Sequence, residues 1–152
     1  MVYSLIVKSR IKQSFDQVND HRWDELMTSI APNVHHRFLG RHAIGGERHD
    51  RDTLRRWFER LARVLPNLHL KINDIWVKGW PWHTTVFVLW DGAATLLNGD
   101  ASYRNRGLHV FTLRWGRVYA LEEFYDSQAA ARGLAAQAAV GLEEAAAEQI
   151  AS

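Results

Sequence analysis

Apolar side chains in the first third of the chain recur every three or four residues, which is the period of an amphipathic helix. Ile11, Phe15 and Val18 form the first such stripe. The second stripe covers residues 23–30, and Asp20 precedes it as a cap. The first third of the chain is therefore predicted to contain two consecutive helices.

A third helical stripe follows a polar loop over residues 40–51. Asp52 or Thr53 is predicted to cap this helix, because a side-chain oxygen there can accept an N–H of the first turn. Pro66 ends it, since proline has no N–H to donate. Residues 33–39 alternate and are predicted to form a short strand. The apolar face of the third helix comprises Leu54, Trp57, Phe58, Leu61 and Leu65.

The second half of the chain alternates between apolar and polar positions, which is the period of a β-strand. Asn98-Gly99 is a strong hairpin signal, and Trp115-Gly116 marks a second turn. An Ala-rich helical segment begins at Ser127. Helices followed by a meander of strands are typical of an α+β fold. The predicted strands cover residues 68–80, 82–91, 101–114 and 117–125.

The turn at residues 115–116 determines which side chains of the last two strands face each other. If that turn is tight, His109 lies opposite Glu122 and Asn105 lies opposite Asp126, all on one face. A carboxylate beside a histidine orients the imidazole and raises its pKa. A partly buried carboxylate can remove a proton next to a carbonyl group. This set of side chains is the strongest chemical candidate in the chain.

Each member of this set also has a structural explanation. Asp126 precedes a predicted helix, where it would act as an N-cap. His109 and Glu122 would equally well form a satisfied buried pair. Tryptophans such as Trp57 and Trp90 belong more often to a packed core than to the wall of a pocket. These alternatives remain open from the residues alone.

Both faces of the predicted sheet are apolar, so both must be covered. The helices can cover one face, and a second copy of the sheet is the natural cover for the other. We therefore expect a homodimer through the outer sheet face. The face opposite His109 is predicted to carry Leu108, Val110, Tyr119, Leu121 and Tyr125.

Composition and charge narrow the classes of function. The 152 residues are enough for one domain, and the formal net charge is only +2. Arginines and acidic residues interleave over residues 50–60, which is typical of a solvated helix face. No nucleic-acid partner is predicted. The chain has no cysteine, so disulfides and thiolate metal sites are excluded.

Targeting and cofactor motifs are not found in the sequence. The apolar run at residues 5–7 is too short for a signal peptide, and no run approaches a membrane span. A cytoplasmic protein without a membrane partner is therefore expected. Gly45-Gly46 lacks the pattern of a phosphate loop, so no cofactor is predicted. No metal site is predicted either. The histidines of this region lack the spacing of metal ligands; they are His35, His36, His42 and His49.

Four segments, in this order and spacing, resemble the SnoaL-like domain of the nuclear transport factor 2-like and ketosteroid-isomerase-like superfamily. They are Gly79–Trp90, Tyr103–Gly107, Trp115–Val118 and Tyr125-Asp126. The similarity covers roughly residues 5–130. It implies a cone-shaped curved antiparallel sheet wrapped by the three N-terminal helices, with a cavity open at one end and usually a homodimer. We therefore expect a cone domain over residues 1–130 and a C-terminal helical extension over residues 131–152.

The resemblance also implies a role for Asp126, since SnoaL-like polyketide cyclases use an Asp at the matching position as acid and base. Their histidine partner has no clear match, and His109 is only nearby. The oxyanion pair of the ketosteroid isomerases and the Asp-Arg-Asp set of the limonene-type epoxide hydrolases are not matched either. Members of the superfamily that only bind ligands also exist, so the fold leaves the activity open.

The residues and the resemblance together predict a cofactor-independent isomerase, cyclase or epoxide hydrolase that acts on a hydrophobic carbonyl, polyketide-like or epoxide substrate. Asp126 would be the general acid and base, and His109 with Glu122 would relay or stabilise charge. Asn105 and Tyr103 would donate hydrogen bonds to the substrate. The alternatives are a non-catalytic small-ligand carrier and a protein-interaction module. The predicted apolar wall consists of Trp57, Trp90, Phe38 and Phe124.

Overall fold

The computed structural model describes residues 2–152. It contains four α-helices and six strands, so the predicted α+β class is confirmed. The helices are α1 (Val2–Asn19), α2 (Trp23–Met27), α3 (Arg51–Val64) and α4 (Ser127–Ala139), and a short 3-10 helix covers Glu143–Ala146. The strands are β1 (Ile30–Phe38), β2 (Gly46–Arg48), β3 (His69–Trp80), β4 (His83–Ala94), β5 (Tyr103–Arg114) and β6 (Arg117–Tyr125).

The six strands form one curved, unclosed sheet in the order β2-β1-β6-β5-β4-β3. All neighbours are antiparallel except β1 and β6, which run parallel. β2 lies within the segment predicted to be a loop, and its three residues are too few to show an alternating pattern. The predicted second helix ends early, because Ile30 already belongs to β1.

The two long helices of the first half follow their predicted stripes. Ile11 and Phe15 of α1 are buried, and they are spaced by one helical turn. The cap of α3 is Asp50 rather than the predicted Asp52 or Thr53, because the Asp50 carboxylate accepts the N–H of Thr53 at 2.7 Å. The apolar face of α3 packs into the hollow of the sheet, and Trp57 at its centre is fully buried.

The hairpin of β5 and β6 starts in the predicted register and then departs from it. Arg114 pairs with Arg117, but Tyr119 is an extra residue, and beyond it His109 pairs with Glu123 rather than with Glu122. Such a β-bulge reverses the face to which every later side chain points. The predicted pairing of His109 with Glu122 is therefore wrong, and the predicted facing of the end of β6 is reversed.

Residues after 130 pack onto the cone. Leu134 is buried, and the Gln137 side chain is fully buried. The Gln137 amide donates to the carbonyl of Val64 at 2.8 Å and accepts the N–H of Leu97 at 2.8 Å. Among residues 2–152, no helix is both long and apolar enough to cross a membrane.

Candidate functional site

A carboxylate between two imidazoles lies in the interior of the cone. Glu123 Oε2 is 2.5 Å from His36 Nε2, and Glu123 Oε1 is 2.6 Å from His109 Nε2. The three side chains come from β6, β1 and β5 and are almost completely buried. Each faces inward. β5 and β6 form a hairpin, and β1, which is far from them in sequence, brings His36 to the same point.

The indole of Trp90 orients the ring of His109. Trp90 Nε1 donates to His109 Nδ1 at 2.5 Å. Since Nδ1 accepts this hydrogen bond, Nε2 is the nitrogen that donates to Glu123.

The site keeps Glu123 ionised at neutral pH. Burial by itself raises the pKa of Glu123, but His109 and His36 outweigh it through charge and hydrogen bonds, and the pKa falls to about 2. Burial lowers the pKa of His36 below its ordinary value, although Glu123 opposes this. A buried anion with two N–H donors is thus the dominant electrostatic feature of the interior.

A buried cation lies beside this group. Arg48 of β2 is the strand partner of His36 of β1 and is fully buried. Its guanidinium lies 5.4 Å from the centre of the Trp57 ring. Burial lowers the pKa of Arg48 to about 10. Within residues 2–152, His36 Nδ1 and the Nε and Nη1 atoms of Arg48 have no hydrogen-bond partner. The hydrogen-bonded chain therefore runs from Trp90 through His109 and Glu123 to His36, and Arg48 lies beside its end with unsatisfied N–H groups.

Two small cavities meet at this polar group. Their volumes are about 50 and 40 Å³, and both are lined by His109 and Glu123. Leu61 and Leu70 also line both, so they form part of the partition between them. The remaining lining of the first cavity is largely apolar and includes Phe15, Trp57, Phe58, Phe111 and Leu121.

The second cavity adds hydrogen-bonding groups. Tyr103 and Asn105 line it together with Glu123. Burial raises the pKa of Tyr103, so the phenol stays protonated. The Asn105 amide approaches the phenol oxygen at 3.4 Å as a donor, which leaves the phenol's own proton available. A carbonyl oxygen in this cavity could therefore accept a hydrogen bond from Tyr103.

Asp126 lies outside the cavities as a helix cap. Its carboxylate accepts the N–H of Ala129 at 3.0 Å at the start of α4, which confirms the capping alternative. Asn105 holds the backbone of Asp126 with two hydrogen bonds of 3.0 Å each. The side chain is exposed and faces a groove on the opposite side of the sheet from Glu123.

We expect Asp126→Ala to lower the free energy of unfolding by about 1 kcal/mol, because an orphan N–H of α4 loses its acceptor. Asp126→Asn should change the free energy of unfolding by at most a few tenths of a kcal/mol, because Asn caps a helix equally well. Urea unfolding followed by circular dichroism measures both values. Equal losses for the two variants would contradict the capping role.

Two further predicted site residues point away from the cavities. Glu122 lies on the outer face, 3.4 Å from Arg37, and Phe124 is 39% exposed on the same face. Trp57 lines the first cavity, and Trp90 and Phe38 line the second. That they bind a substrate stays a prediction.

Sequence reasoning did not identify Glu123, His36 or Arg48 as members of the site. A signal for His36 was present, since it alternates with Val34 and Phe38 on the buried face of β1. No comparable signal marks Arg48, because its strand is too short to alternate.

A larger open groove runs along α1. Its volume is about 600 Å³, and it runs between α1, the start of β1 and the β5–β6 turn. Ser14, Ser29 and Val118 line both this groove and the first cavity. The groove and the first cavity are therefore neighbours.

Three side chains with metal-binding groups gather on the surface of β1 and β2. The ligand atoms of His35, Glu47 and His49 lie within 4.8 Å of one another. The two rings are stacked at 4.6 Å with an angle of 12°, so their lone pairs run side by side rather than converging. His35 is paired with Glu47 at 2.8 Å, and Arg37 approaches the same carboxylate at 3.7 Å. The arrangement is that of an exposed ion-pair network.

Comparison with known proteins agrees with this architecture. The family profile described as the SnoaL-like domain matches residues 11–121. A nuclear transport factor 2-like protein of unknown function from Burkholderia pseudomallei has a similar structure, with a TM-score of 0.70 and 17% identity over 83% of this chain and 95% of its own. No curated protein matches this chain in sequence.

Two other similar structures carry functional descriptions. TerC, co-crystallised with polyporic acid, has a TM-score of 0.65 and 18% identity over 81% of this chain and 93% of its own. A candidate polyketide cyclase from Sinorhizobium meliloti has a TM-score of 0.61 and 16% identity over 74% of this chain and 91% of its own. At these identities, the likeness establishes the fold alone.

Proposed function

Because the chain belongs to the SnoaL-like family, we propose that it is a small-molecule pocket protein and a cofactor-independent enzyme in which Glu123 acts as the base. The substrate is a hydrophobic carbonyl compound, and the reaction is proton transfer leading to isomerisation or ring closure. One observation carries this proposal: a buried carboxylate and a protonated phenol line the same largely apolar cavity.

The proposed step begins with a C–H bond next to a carbonyl group. The proton passes to an oxygen of Glu123, and the electron pair moves to the carbonyl oxygen to form an enolate. The O–H of Tyr103 donates to that oxygen and stabilises its charge. Return of the proton to a different atom gives an isomer. Alternatively, the enolate carbon attacks a second carbonyl, whose π electrons move to its oxygen, and Glu123 returns the proton to that alkoxide to complete the ring.

The low pKa of Glu123 limits the substrate class. A carboxylate with a pKa of about 2 is a weak base, and proton transfer becomes less efficient as the two pKa values move apart. We therefore expect the reacting C–H to lie between two carbonyl groups, as in a 1,3-dicarbonyl compound, rather than in a simple ketone. Polyketide-like molecules belong to this chemical class.

The size of the site places a condition on binding. Cavities of about 50 and 40 Å³ are well below the roughly 300 Å³ of an ordinary ligand pocket. Movement of Leu61 and Leu70 would join the two, and movement of Ser14 would open the first cavity into the groove. A substrate is expected to place only its dicarbonyl end beside Glu123.

Hydrogen–deuterium exchange at the activated carbon tests the proposal. In D₂O, the protein should accelerate exchange at the central carbon of a hydrophobic 1,3-dicarbonyl compound, measured by proton NMR. Glu123→Gln should reduce that acceleration by roughly 10²–10⁴-fold, because an amide cannot accept the proton.

The chain offers two matched controls for this experiment. Glu122→Gln makes the same change one residue away on the outer face, and Asp126→Asn removes the charge of the helix cap. Both should retain full exchange. Loss of exchange in Asp126→Asn with retention in Glu123→Gln would return the role to Asp126 and overturn the assignment.

A non-catalytic ligand carrier is the second candidate, and the hydrogen bonding of His109 favours it. Both ring nitrogens of His109 are already engaged, by Trp90 and by Glu123. In a carrier, the ionised Glu123 would only accept a hydrogen bond from a hydroxyl group of the ligand. Native mass spectrometry of a bound ligand that is recovered unchanged after long incubation would favour the carrier.

We further propose a homodimer through the outer sheet face. Trp76 and Phe124 on that face are 47% and 39% exposed, and Phe87 and Val110 between them are half-buried. Sedimentation velocity at low protein concentration would give the mass of two chains if this face is an interface.

A further inference from the structure

We propose that one end of the molecule docks onto the surface of an anionic lipid bilayer. This end is formed by the β3–β4 turn, the β5–β6 turn and the first turns of α1. We call it the tryptophan end, after Trp80, Trp82 and Trp115. The proposal does not depend on the chemistry of Glu123.

The three indoles are exposed and held as one unit. Trp80, Trp82 and Trp115 are 66%, 57% and 73% exposed. The rings of Trp80 and Trp82 are stacked at 6.0 Å, and Trp82 lies 6.3 Å from Trp115. The backbone N–H of Trp115 donates to the carbonyl of Pro81 at 2.6 Å, so the two turns are joined. Three large apolar rings on joined turns are costly in water unless another surface covers them.

The start of α1 extends this surface with aliphatic side chains. Val2, Leu5 and Ile6 are all at least half exposed. A hydrogen bond between the hydroxyls of Tyr3 and Thr84 ties α1 to β4. Ile6 and Trp115 line the same groove, which places helix and turn side by side.

The charged residues of the segments that build this end are all positive. The three segments that build it, residues 2–15, 75–90 and 108–121, contain six Lys or Arg residues and no Asp or Glu. Arg10 lies directly against the turn at Gly116. Glu25, which also lines the groove, is already paired with Arg22 at 2.9 Å. The six cations are Lys8, Arg10, Lys12, Lys78, Arg114 and Arg117.

A bilayer surface satisfies both features at once. Tryptophan prefers the headgroup level of a membrane, where the ring is half in apolar surroundings and the indole N–H is hydrated. Lys and Arg beside it are attracted to anionic headgroups. The exposed aliphatic side chains of α1 would enter the boundary of the acyl chains.

Other occupants fit less well. A second copy meeting this end through a two-fold axis would bring the same cations face to face. Single-stranded nucleic acid stacks on aromatic rings in a groove, but the aliphatic residues of α1 offer nothing to a base. The sequence predicted no membrane partner because it has no spanning segment, and a surface that lies on the bilayer does not need one.

Vesicle binding tests this proposal on the full chain. Vesicles of phosphatidylcholine with phosphatidylserine should co-sediment the protein, whereas pure phosphatidylcholine vesicles should do so weakly. Added salt should weaken the binding, because the attraction is screened. Tryptophan emission should shift to the blue, and lipids brominated near the headgroup should quench it.

Two sets of variants locate the contact. Trp80→Ser, Trp82→Ser and Trp115→Ser combined should weaken binding by about tenfold or more, because the interfacial anchors are gone. Arg114→Gln with Arg117→Gln should abolish the preference for phosphatidylserine. The controls lie at the opposite end of the strands: Leu97→Ser for exposed apolar area, and Arg104→Gln with Arg106→Gln for charge.

Several results would overturn the proposal. These are equal binding to neutral and anionic vesicles, loss of binding in the control variants, or no quenching by brominated lipid. Self-association that disappears in the tryptophan variant, without vesicle binding, would assign this end to a second copy. Binding to a single-stranded oligonucleotide but not to vesicles would assign it to nucleic acid. Should the triple variant fail to fold, the proposal is tested by weaker vesicle binding of Trp115→Ser alone and by quenching of the wild-type protein with brominated lipid.

Discussion

Glu123→Ala is expected to lower the free energy of unfolding by about 3–5 kcal/mol, because removing one member of a buried charged group leaves its partners unpaired. The two imidazoles that donate to Glu123 lose their shared acceptor. Arg48, already short of partners, loses the nearest anion. A cavity the size of the missing carboxylate adds to the cost.

Glu122→Ala is the matched control for this measurement. Glu122 lies on the outer face in an exposed pair with Arg37, and such pairs contribute about 0–1 kcal/mol. Urea unfolding at neutral pH gives both values. Equal losses for the two variants would mean that the buried group contributes no more than a surface pair, and that its two short contacts carry little energy.

Acid is expected to destabilise the protein in two stages. The pKa of His36 lies below its ordinary value of 6.5 in the folded chain, so the unfolded chain takes up the proton first and stability falls as the pH drops below about 6.5. The pKa of Glu123 is about 2 when folded against 4.5 ordinarily. Its contribution is complete above about pH 4.5 and is lost as the pH falls toward 2.

A series of urea titrations from neutral to acid pH measures this dependence. Glu123→Gln should lose most of the lower stage, since an amide does not titrate in that range. Glu122→Gln should retain it, together with the contributions of the other carboxylates. A profile of Glu123→Gln that runs parallel to the wild type down to pH 2 would contradict the depressed pKa of Glu123.

The same buried group underlies the proposed activity and these two stability predictions. A carboxylate held by two imidazoles is ionised and fixed in position, which is what a base in an apolar cavity requires. Its low pKa makes it weak, so the substrate must bring an acidic C–H. Activity and acid sensitivity are therefore two consequences of one arrangement of Glu123, His36 and His109.

The candidate site could be predicted only in part. His109, Tyr103 and Trp90 were identified because alternation in long strands places them on the inner face. Glu122 was predicted where Glu123 stands, since a single extra residue at Tyr119 changes the pairing beyond it. For Asp126 the sequence left two roles open, acid/base and helix cap, and the structure shows the cap. The cap was foreseeable because a short polar residue before a helix has a local function.

The amino-acid sequence by itself determined the helices α1 and α3, the four long strands with their turns, the α+β class and the family resemblance, because these depend on periodicity and on local turn chemistry. The tertiary structure alone decided that β1 runs parallel to β6, that β2 pairs with it, and that the bulge turns Glu123 inward. These features depend on contacts between residues far apart in the chain, and a one-residue change in pairing leaves the local pattern almost the same while exchanging the two faces of a strand.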